Sequence, residues 1–220
     1  MNYYPLYLDI KKRRCVVVGG GDVAERKVER LVDCGAEVVV VAKSLTAKLE
    51  ISRRNGWILH IDDEYRSEYI DAAFVVIGAT DNAEINAGIY RDAEDRGLLV
   101  NIVDKPEMCN FIVPSVVQAG DLTVAISTGG KSPALARRLR EDMEGRFGWE
   151  YEMLLNIMGE LRERILKRGN LSEQNRDIFE SLLDSDMLSY IREEEWGRLE
   201  KLIFDLTGEK LTVSGKSLQQ

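Results

Sequence analysis

The sequence has 220 residues, of which 45% are hydrophobic and 31% charged, a balance typical of a globular protein with a sizeable core. Its formal net charge of −8 argues against broad nucleic-acid binding. No apolar run approaches the roughly 20 residues that span a bilayer, and residues 1–5 show no start of a secretion signal, so neither a membrane partner nor export is expected.

The segment 15–24, CVVVGGGDVA, predicts a buried strand, a glycine turn and the start of a helix. Three consecutive valines are typical of a strand that is covered on both faces. Gly19, Gly21 and Ala24 occupy the three small positions of the G-x-G-x-x-G/A dinucleotide-binding fingerprint. The following helix would offer its free N–H groups and positive dipole end to a pyrophosphate. The alternative is a tight turn that binds no ligand.

Strand-like and helix-like segments then alternate through the first half of the chain. The predicted elements are the helix closed by Gly35, a strand over 36–41, a helix over 45–54 capped by Ser44, strands over 57–61 and 74–79, a helix over 82–96, and a strand over 98–103. This alternation predicts an α/β fold with a parallel sheet and helices on both faces. The sequence has a single histidine, His60, which excludes a histidine-rich metal site. His60 itself is interpreted as structural.

Ligands of such sheets bind outside the carboxyl ends of the strands. The candidate coenzyme contacts at these ends are Gly19, Gly21, Asp22, Val23, Lys43, Ser44, Thr80, Asp81 and Val103. The second strand leads into Lys43 and lacks the acid that usually binds the ribose in an NAD site, whereas a lysine would suit the 2′-phosphate of NADP. Spacing alone leaves the choice between NAD and NADP open.

Asp104 is the candidate catalytic residue, because it follows the fifth strand on the side where a nicotinamide should lie. A carboxylate there can take a proton while a hydride leaves to the coenzyme. The alternative is that Asp104 caps the turn at Lys105 and Pro106, as aspartates often do.

Beyond residue 110 the pattern changes to a hairpin, with strands over 111–117 and 122–127 joined by a turn at 119–121. Ser132 then suits the N-cap of a helix and Pro133 its first residue. Residues 131–140 contain four cations and no anion, namely Lys131, Arg137, Arg138 and Arg140. This local positive charge at a helix start indicates a second anion site; the alternative is a solvated basic face.

From about Gly148 the chain is predicted to be helical, with breaks near 169–170 and 185–186. Apolar residues at helical spacing predict a small all-helical C-terminal domain. The acidic run 193–195 is predicted as a solvated face, and residues 209–220 as a frayed end. Three cysteines without a C-x-x-C pair suit reduced thiols and a cytoplasmic location.

Five ordered motifs together resemble the siroheme synthase family. They are VGGGDVAERK at 18–27, ATD at 79–81 with Asn86, NIVD at 101–104, FIVPS at 111–115 and STGGKSP at 127–133. The resemblance is to the precorrin-2 dehydrogenase module, which in some members is also the sirohydrochlorin ferrochelatase. It covers residues 1 to about 145, and the methyltransferase half of the long fused members is not expected here.

The resemblance implies a Rossmann-type parallel sheet over 1–113, a β-hairpin/helix dimerisation and substrate-binding region over 114–147, and a helical C-terminal domain over 148–220. It implies a homodimer that oxidises precorrin-2 to sirohydrochlorin with NAD, in some members followed by insertion of Fe²⁺ (or Co²⁺). The tetrapyrrole would lie in a cleft near the nicotinamide. The family's NAD contacts correspond to Asp22–Val23 and Lys43–Ser44 with the glycine turn, and its essential aspartate to Asp104. Thr128 stands where some members carry a phosphorylated serine.

An anionic tetrapyrrole needs a cationic patch in an otherwise acidic protein. The candidate substrate-binding residues are Thr128, Gly129, Gly130, Lys131, Ser132, Arg137 and Arg138. Iron would be a substrate, because the sequence offers no histidine or cysteine cluster for a resident metal. Two other functions stay open from the residues alone: a nucleotide-sensing regulatory module without catalysis, and a dehydrogenase that acts on another anionic substrate.

Overall fold

A computed structural model describes residues 3–168 and 172–214 of the chain. The chain forms two compact units, one up to Val113 and the other from Pro114 onward. Among the described residues, no helix is both long and apolar enough to cross a membrane.

The first unit is built on a sheet of five parallel strands. These are β1 (Arg14–Val18), β2 (Glu37–Val41), β3 (Ile58–Ile61), β4 (Val75–Gly78) and β5 (Leu99–Ile102). Their order in the sheet is β3-β2-β1-β4-β5, and every neighbouring pair is parallel. The predicted parallel α/β sheet is therefore confirmed, and the strand order reverses between β1 and β4, where ligands of open α/β sheets bind.

Both faces of this sheet are covered, which explains the unbroken valine runs. The helices are α1 (Asp22–Asp33), α2 (Ala47–Arg54) and α3 (Ala83–Asp95). Val17 belongs to a buried cluster that includes Val28 of α1, whereas Val16 belongs to another that includes Ile89 of α3. Alternate residues of β1 thus point to opposite faces, as the pleat of a strand requires.

Helix α2 begins later than the sequence pattern predicts. Thr46, and not Ser44, is the N-cap, and its hydroxyl accepts a hydrogen bond from the N–H of Leu49 at 3.2 Å. The helical hydrogen bonds begin with the Glu50 N–H, which donates to the Thr46 carbonyl at 3.0 Å. The Ser44 carbonyl packs against the glycine turn instead, since a Cβ on Gly20 would lie 1.9 Å from its oxygen. Asn82 caps α3, since its side chain accepts hydrogen bonds from the N–H groups of Glu84 and Ile85.

The second unit begins with an antiparallel hairpin and continues as helices. Its elements are β6 (Ser115–Ala119), β7 (Leu122–Ile126), α4 (Pro133–Glu144), α5 (Trp149–Lys167), α6 (Ser172–Leu183), α7 (Met187–Arg192) and α8 (Trp196–Thr207). Ser132 caps α4 and Pro133 is its first residue, as predicted. The predicted strand over 111–117 is wrong at its start, because β6 begins only at Ser115 and the Phe111 carbonyl accepts a hydrogen bond from the side-chain amide of Asn101 in β5.

The helices of the second unit enclose one apolar core, which contains Leu161 and Ile165 of α5 and Leu199 and Ile203 of α8. The break predicted at 185–186 is present between α6 and α7, and the one predicted near 169–170 lies outside the described residues. In the run 193–195, Glu193 and Glu194 are exposed and Glu195 is partly exposed, in line with the predicted solvated face. The run separates α7 from α8, and Glu195 is the N-cap of α8.

The prediction of a frayed end is wrong for residues 209–214. Leu211 and Val213 are buried in the helical core, and the N–H of Val213 donates to the carboxylate of Glu200 at 2.9 Å. Two apolar side chains spaced by one residue anchor this extended segment, a pattern too short to stand out in the sequence. The rest of the predicted frayed end, 215–220, lies outside the described residues.

Candidate functional site

The three glycines of the turn after β1 have two different roles. Gly19 has φ +125°, and a Cβ there would lie 2.2 Å from the carbonyl oxygen of Ala79. A Cβ on Gly20 would meet the Ser44 carbonyl, whereas one on Gly21 would meet nothing within 4 Å. Gly19 and Gly20 therefore let three chain segments pack together, and Gly21 leaves open space beside the backbone.

Helix α1 begins at this open space. Gly21 is its N-cap, and Glu25 is the first residue to donate its N–H back to the Gly21 carbonyl, at 2.9 Å. Because the N-cap is a glycine, no side chain caps the N–H groups of the first turn. These groups and the positive end of the helix dipole are available to an anion.

A cavity of about 710 Å³ lies at the carboxyl edge of the sheet. Its lining residues are Val18, Gly19, Gly20, Gly21, Asp22, Val23, Val41, Ala42, Lys43, Ser44, Leu45, Thr46, Asp63, Glu64, Tyr65, Ala79, Thr80, Asp81 and Ile85. The structure thus brings together every predicted coenzyme contact except Val103. The open space at Gly21, the uncapped start of α1 and a cavity of this size fit the pyrophosphate and flanking groups of a dinucleotide coenzyme.

The loop after β4 is held by a reciprocal pair of hydrogen bonds. The Thr80 hydroxyl donates to the side-chain oxygen Oδ1 of Asn86 at 2.9 Å, and the side-chain Nδ2 of Asn86 donates to the Thr80 backbone carbonyl at 2.8 Å. Asn86 is buried, so this pair satisfies polar atoms that would otherwise be costly to bury. The result is a fixed position for Thr80 and Asp81 at the wall of the cavity.

Asp104 lies two residues beyond β5 at the same edge of the sheet, but it does not line the cavity. Its backbone is left-handed, with φ +59°. On one side the N–H of Val103 donates to the Gly78 carbonyl at 2.9 Å, and on the other the N–H of Lys105 donates to the Ile102 carbonyl at 3.2 Å. The carboxylate is exposed and does not cap the following helical turn at 106–108, which has no side-chain cap. The capping alternative therefore finds no support.

Lys27 of α1 is a neighbour of Asp104 that sequence reasoning did not single out as a site residue. Burial lowers the pKa of Lys27 below its ordinary value, the charges of Arg30 and Arg26 add to this, and the carboxylate of Asp104 opposes it. The candidate catalytic carboxylate thus acts electrostatically on the half-buried ammonium group of Lys27. The available signal was its position four residues after Val23, since residues four apart lie on the same face of a helix.

Three further cavity residues that the sequence analysis missed, Asp63, Glu64 and Tyr65, follow β3. The rule that ligands bind at the carboxyl ends of parallel strands applies to β3 as well as to the other strands. Applied to the segment after Ile61, it would have found them.

In the second unit, Thr128 and Ser132 close the loop that precedes α4. The Thr128 hydroxyl donates to the Ser132 carbonyl at 3.0 Å and accepts the Ser132 N–H at 3.2 Å. Gly129 and Gly130 have φ values of +63° and +80°, and a Cβ on either would meet nothing within 4 Å. The two glycines thus present open backbone, on a loop whose ends are fixed.

The cationic patch is weaker than its sequence indicates, because two of its arginines form ion pairs with acids further along α4. Arg137 pairs with Glu141 at 2.8 Å, and Arg140 pairs with Glu144 and Glu141. Lys131 and Arg138 are exposed and form no ion pair within the described residues. The predicted anion site therefore rests on these two cations, with Arg137 partly neutralised.

Comparison with known proteins gives two matching family models. Residues 6–115 match the model described as putative NAD(P)-binding, and residues 119–146 match that of the central region of sirohaem biosynthesis proteins. The first covers half of the chain.

Individual proteins match over most of the chain. The siroheme synthase of Photobacterium profundum is 36% identical over 198 residues, 89% of this chain and 42% of that protein. The siroheme synthase of Methylobacillus flagellatus is 39% identical over 193 residues, 86% of this chain and 41% of that protein. The solved structure of SirC, a precorrin-2 dehydrogenase, superposes with a TM-score of 0.76 at 25% identity and covers 90% of this chain and 100% of that one.

The chain spans about two fifths of the length of the curated relatives it matches. Within that span the fold, the glycine turn and both family models agree. The chain belongs to the siroheme synthase family.

Proposed function

We propose that this chain is an NAD-dependent dehydrogenase that oxidises precorrin-2 to sirohydrochlorin in siroheme biosynthesis. The observation that carries the proposal is the common edge of the sheet: the open turn at Gly21 and the exposed carboxylate of Asp104 both lie at the carboxyl ends of the strands. The similarity to SirC, which is named a precorrin-2 dehydrogenase and aligns over its whole length, supports the choice of substrate.

The coenzyme would be held mainly by backbone groups. The N–H groups at the start of α1 bind the pyrophosphate, and Gly21 admits it because no Cβ intervenes. The loop of Thr80 and Asp81, fixed by Asn86, borders the same cavity. Bound NAD⁺ supplies the hydride acceptor of the reaction.

Asp104 acts as the proton acceptor when the substrate loses a hydride. The two backbone bonds on either side of it fix the start of its side chain, and its exposed carboxylate is free to meet a substrate.

The substrate would be held by cations of the second unit. Lys131 and Arg138, exposed and without ion pairs among the described residues, are the strongest candidates for its carboxylates, and Arg137 can exchange Glu141 for a substrate carboxylate. The open backbone of Gly129 and Gly130 and the closed turn of Thr128 and Ser132 lie on the loop that precedes these arginines.

A homodimer is part of the proposal. The hairpin of β6 and β7 is a two-stranded sheet, and within the described residues its outer edges pair with no further strand. Unpaired edges favour pairing with another chain. Sedimentation at several concentrations would test this, and a monomer at all of them would contradict it.

The decisive experiment for the dehydrogenase mixes the protein anaerobically with precorrin-2 and NAD⁺ and follows the absorbance of sirohydrochlorin. Asp104→Asn should lower kcat by about 100-fold or more, in the range of general-base catalysis, and leave NAD⁺ affinity unchanged. Asparagine is the suitable substitution because it tolerates the left-handed backbone of Asp104.

Glu107→Gln is the matched control, since Glu107 is an exposed acid three residues further on. Full activity in Asp104→Asn would remove the proposed role of that residue. Coenzyme binding without any sirohydrochlorin from the wild-type protein would favour the regulatory module or a different anionic substrate.

Metal insertion into sirohydrochlorin is a second, separate proposal that rests on the family resemblance. Fe²⁺ (or Co²⁺) would be a substrate, and Asp104 could accept one of the two pyrrole protons that leave as the metal enters. Insertion no faster than in a protein-free control would contradict it without affecting the dehydrogenase.

A further inference from the structure

The end of β2 and the end of β3 are held together beside the coenzyme cavity. The two strands are in parallel register with Val41 opposite Ile61, and the N–H of Ala42 donates to the Ile61 carbonyl at 3.1 Å. The imidazole Nε2 of His60 lies 2.8 Å from the Ala42 carbonyl. Residues after β3 therefore occupy a fixed place next to Lys43, at the point where β2 lacks its usual acid.

Asp63 fills that place with a carboxylate. Its Oδ1 lies 3.5 Å from the Nζ of Lys43 and accepts the N–H of Glu64 at 2.8 Å. Its Oδ2 accepts the Tyr69 hydroxyl at 2.6 Å and pairs with Arg66 at 2.7 Å. The side chain is 24% exposed, against 59% for Lys43, so Asp63 is the better fixed of the two.

These partners keep Asp63 negatively charged. The Tyr69 hydroxyl, and then the Glu64 N–H, hold the pKa of its carboxyl below the ordinary value, with Arg66 and Lys43 adding to the effect. Glu64 lines the same cavity. The lysine that suggested a 2′-phosphate site is therefore already paired with an acid, and a second acid lies nearby.

The loop that carries Lys43 is tied to the phosphate-binding turn. The N–H of Thr46 donates to the Gly20 carbonyl at 3.0 Å, so Lys43 and Asp63 line the cavity on the β2–β3 side of that turn. In open α/β sheets the adenosine ribose lies on this side, where the β2 acid normally contacts its hydroxyls. A carboxylate that β3 supplies in this position would likewise oppose a 2′-phosphate on that ribose.

We propose that Asp63, supplied by β3 in place of a β2 acid, makes this site select NAD over NADP. Its carboxylate pairs with Lys43 and opposes the charge of a 2′-phosphate. This inference rests on the proposed coenzyme site and deepens it.

The test is calorimetric titration of the purified protein with NAD⁺ and with NADP⁺, without precorrin-2. The wild type should bind NAD⁺ at least about tenfold more tightly, a difference of about 1.4 kcal/mol. Asp63→Asn keeps the shape and the bond from Tyr69 but removes the charge, and should lower that preference about tenfold, mainly by tightening NADP⁺ binding.

Asp62→Asn is the matched control, since Asp62 is exposed and does not line the cavity; it should leave the preference unchanged. The double variant Asp63→Asn with Lys43→Met should lose the gain in NADP⁺ affinity, because the freed lysine is what binds the phosphate. An Asp63→Asn preference equal to that of the wild type would overturn the proposal.

Lys43→Met alone keeps the test valid if Asp63→Asn does not fold. It leaves Asp63 without one of its cations and should raise the preference for NAD⁺ further; an unchanged preference would overturn the proposal. A wild type that binds neither coenzyme would overturn both this inference and the proposed function. NAD⁺ binding without oxidation of precorrin-2 would overturn the dehydrogenase alone.

Discussion

Gly19 and Ala79 approach so closely that a Cβ on Gly19 would lie 2.2 Å from the Ala79 carbonyl oxygen. The turn after β1 and the end of β4 can meet only because that atom is missing. Two residues further on, a Cβ on Gly21 would meet nothing within 4 Å. The first glycine therefore serves the fold, and the second keeps space free for a ligand.

Substitution by alanine should separate these two roles. Gly19→Ala should destabilise the protein by at least about 2 kcal/mol, because its positive φ and the clash both strain the backbone. Gly21→Ala should leave the melting temperature nearly unchanged and weaken NAD⁺ binding at least about tenfold. Thermal unfolding and calorimetric titration measure the two effects.

Gly88→Ala provides the control, because Gly88 lies within α3 and its Cβ would also meet nothing within 4 Å. It should leave coenzyme affinity unchanged and raise stability slightly, since alanine is the better helix former. If Gly21→Ala bound NAD⁺ as well as Gly88→Ala does, the pyrophosphate would have to be placed elsewhere.

The loop before α4 allows a second prediction. The Thr128 hydroxyl both donates to and accepts from the backbone of Ser132, so Thr128→Ala should cost about 1–2 kcal/mol of stability through two lost hydrogen bonds. Thr128→Ser retains the hydroxyl and should restore most of it. Urea unfolding measures both variants, and equal stability of the alanine and serine variants would contradict the described role of the hydroxyl.

Much of the fold is predictable because its signals are local. Three valines before the turn at Gly19 predict a strand covered on both faces, and alternating segments predict the parallel sheet. Because ligands of parallel sheets bind at the carboxyl ends of the strands, the coenzyme contacts can then be assigned to one edge of the sheet without any knowledge of distances. Asp63 was missed only because the rule was not applied to the third strand.

Other features depend on contacts between residues that no sequence period marks. The N-cap of α2 is Thr46 and not the predicted Ser44, whose carbonyl packs against Gly20. The basic patch carries less free charge than residues 131–140 indicate, because Glu141 follows that segment and pairs with Arg137 one helical turn before it. Such effects become visible only when the backbone path is known.

The segment after α8 gives a third prediction. Leu211 is buried in the helical core, so Leu211→Ala should destabilise the protein by about 3 kcal/mol, the usual cost of a large-to-small change in a core. Thr212→Ala is the control, since Thr212 is exposed and its truncation should cost almost nothing. Equal unfolding midpoints in urea for the two variants would restore the expectation of a frayed end.

A fourth prediction concerns pH and the end of α2. Arg53 and Arg54 hydrogen-bond to Glu50 and lower the pKa of its carboxyl to about 2 from an ordinary 4.5. When folding lowers the pKa of a carboxyl, its interaction stabilises the fold at pH values above the ordinary pKa. This stabilisation is lost as the pH falls through the pKa of the folded protein. Glu50 should therefore contribute fully near neutral pH and progressively less between about 4.5 and about 2.

Glu50→Gln removes this titration, so its melting temperature should fall less than that of the wild type between pH 5 and pH 2. Glu37→Gln is the control, because Glu37 is exposed at the start of β2 and forms no ion pair in the described part of the chain. Melting curves at several pH values compare the three proteins. A wild type and a Glu50→Gln variant that lose stability in parallel would show that the arginine pair contributes nothing measurable, as many exposed ion pairs do.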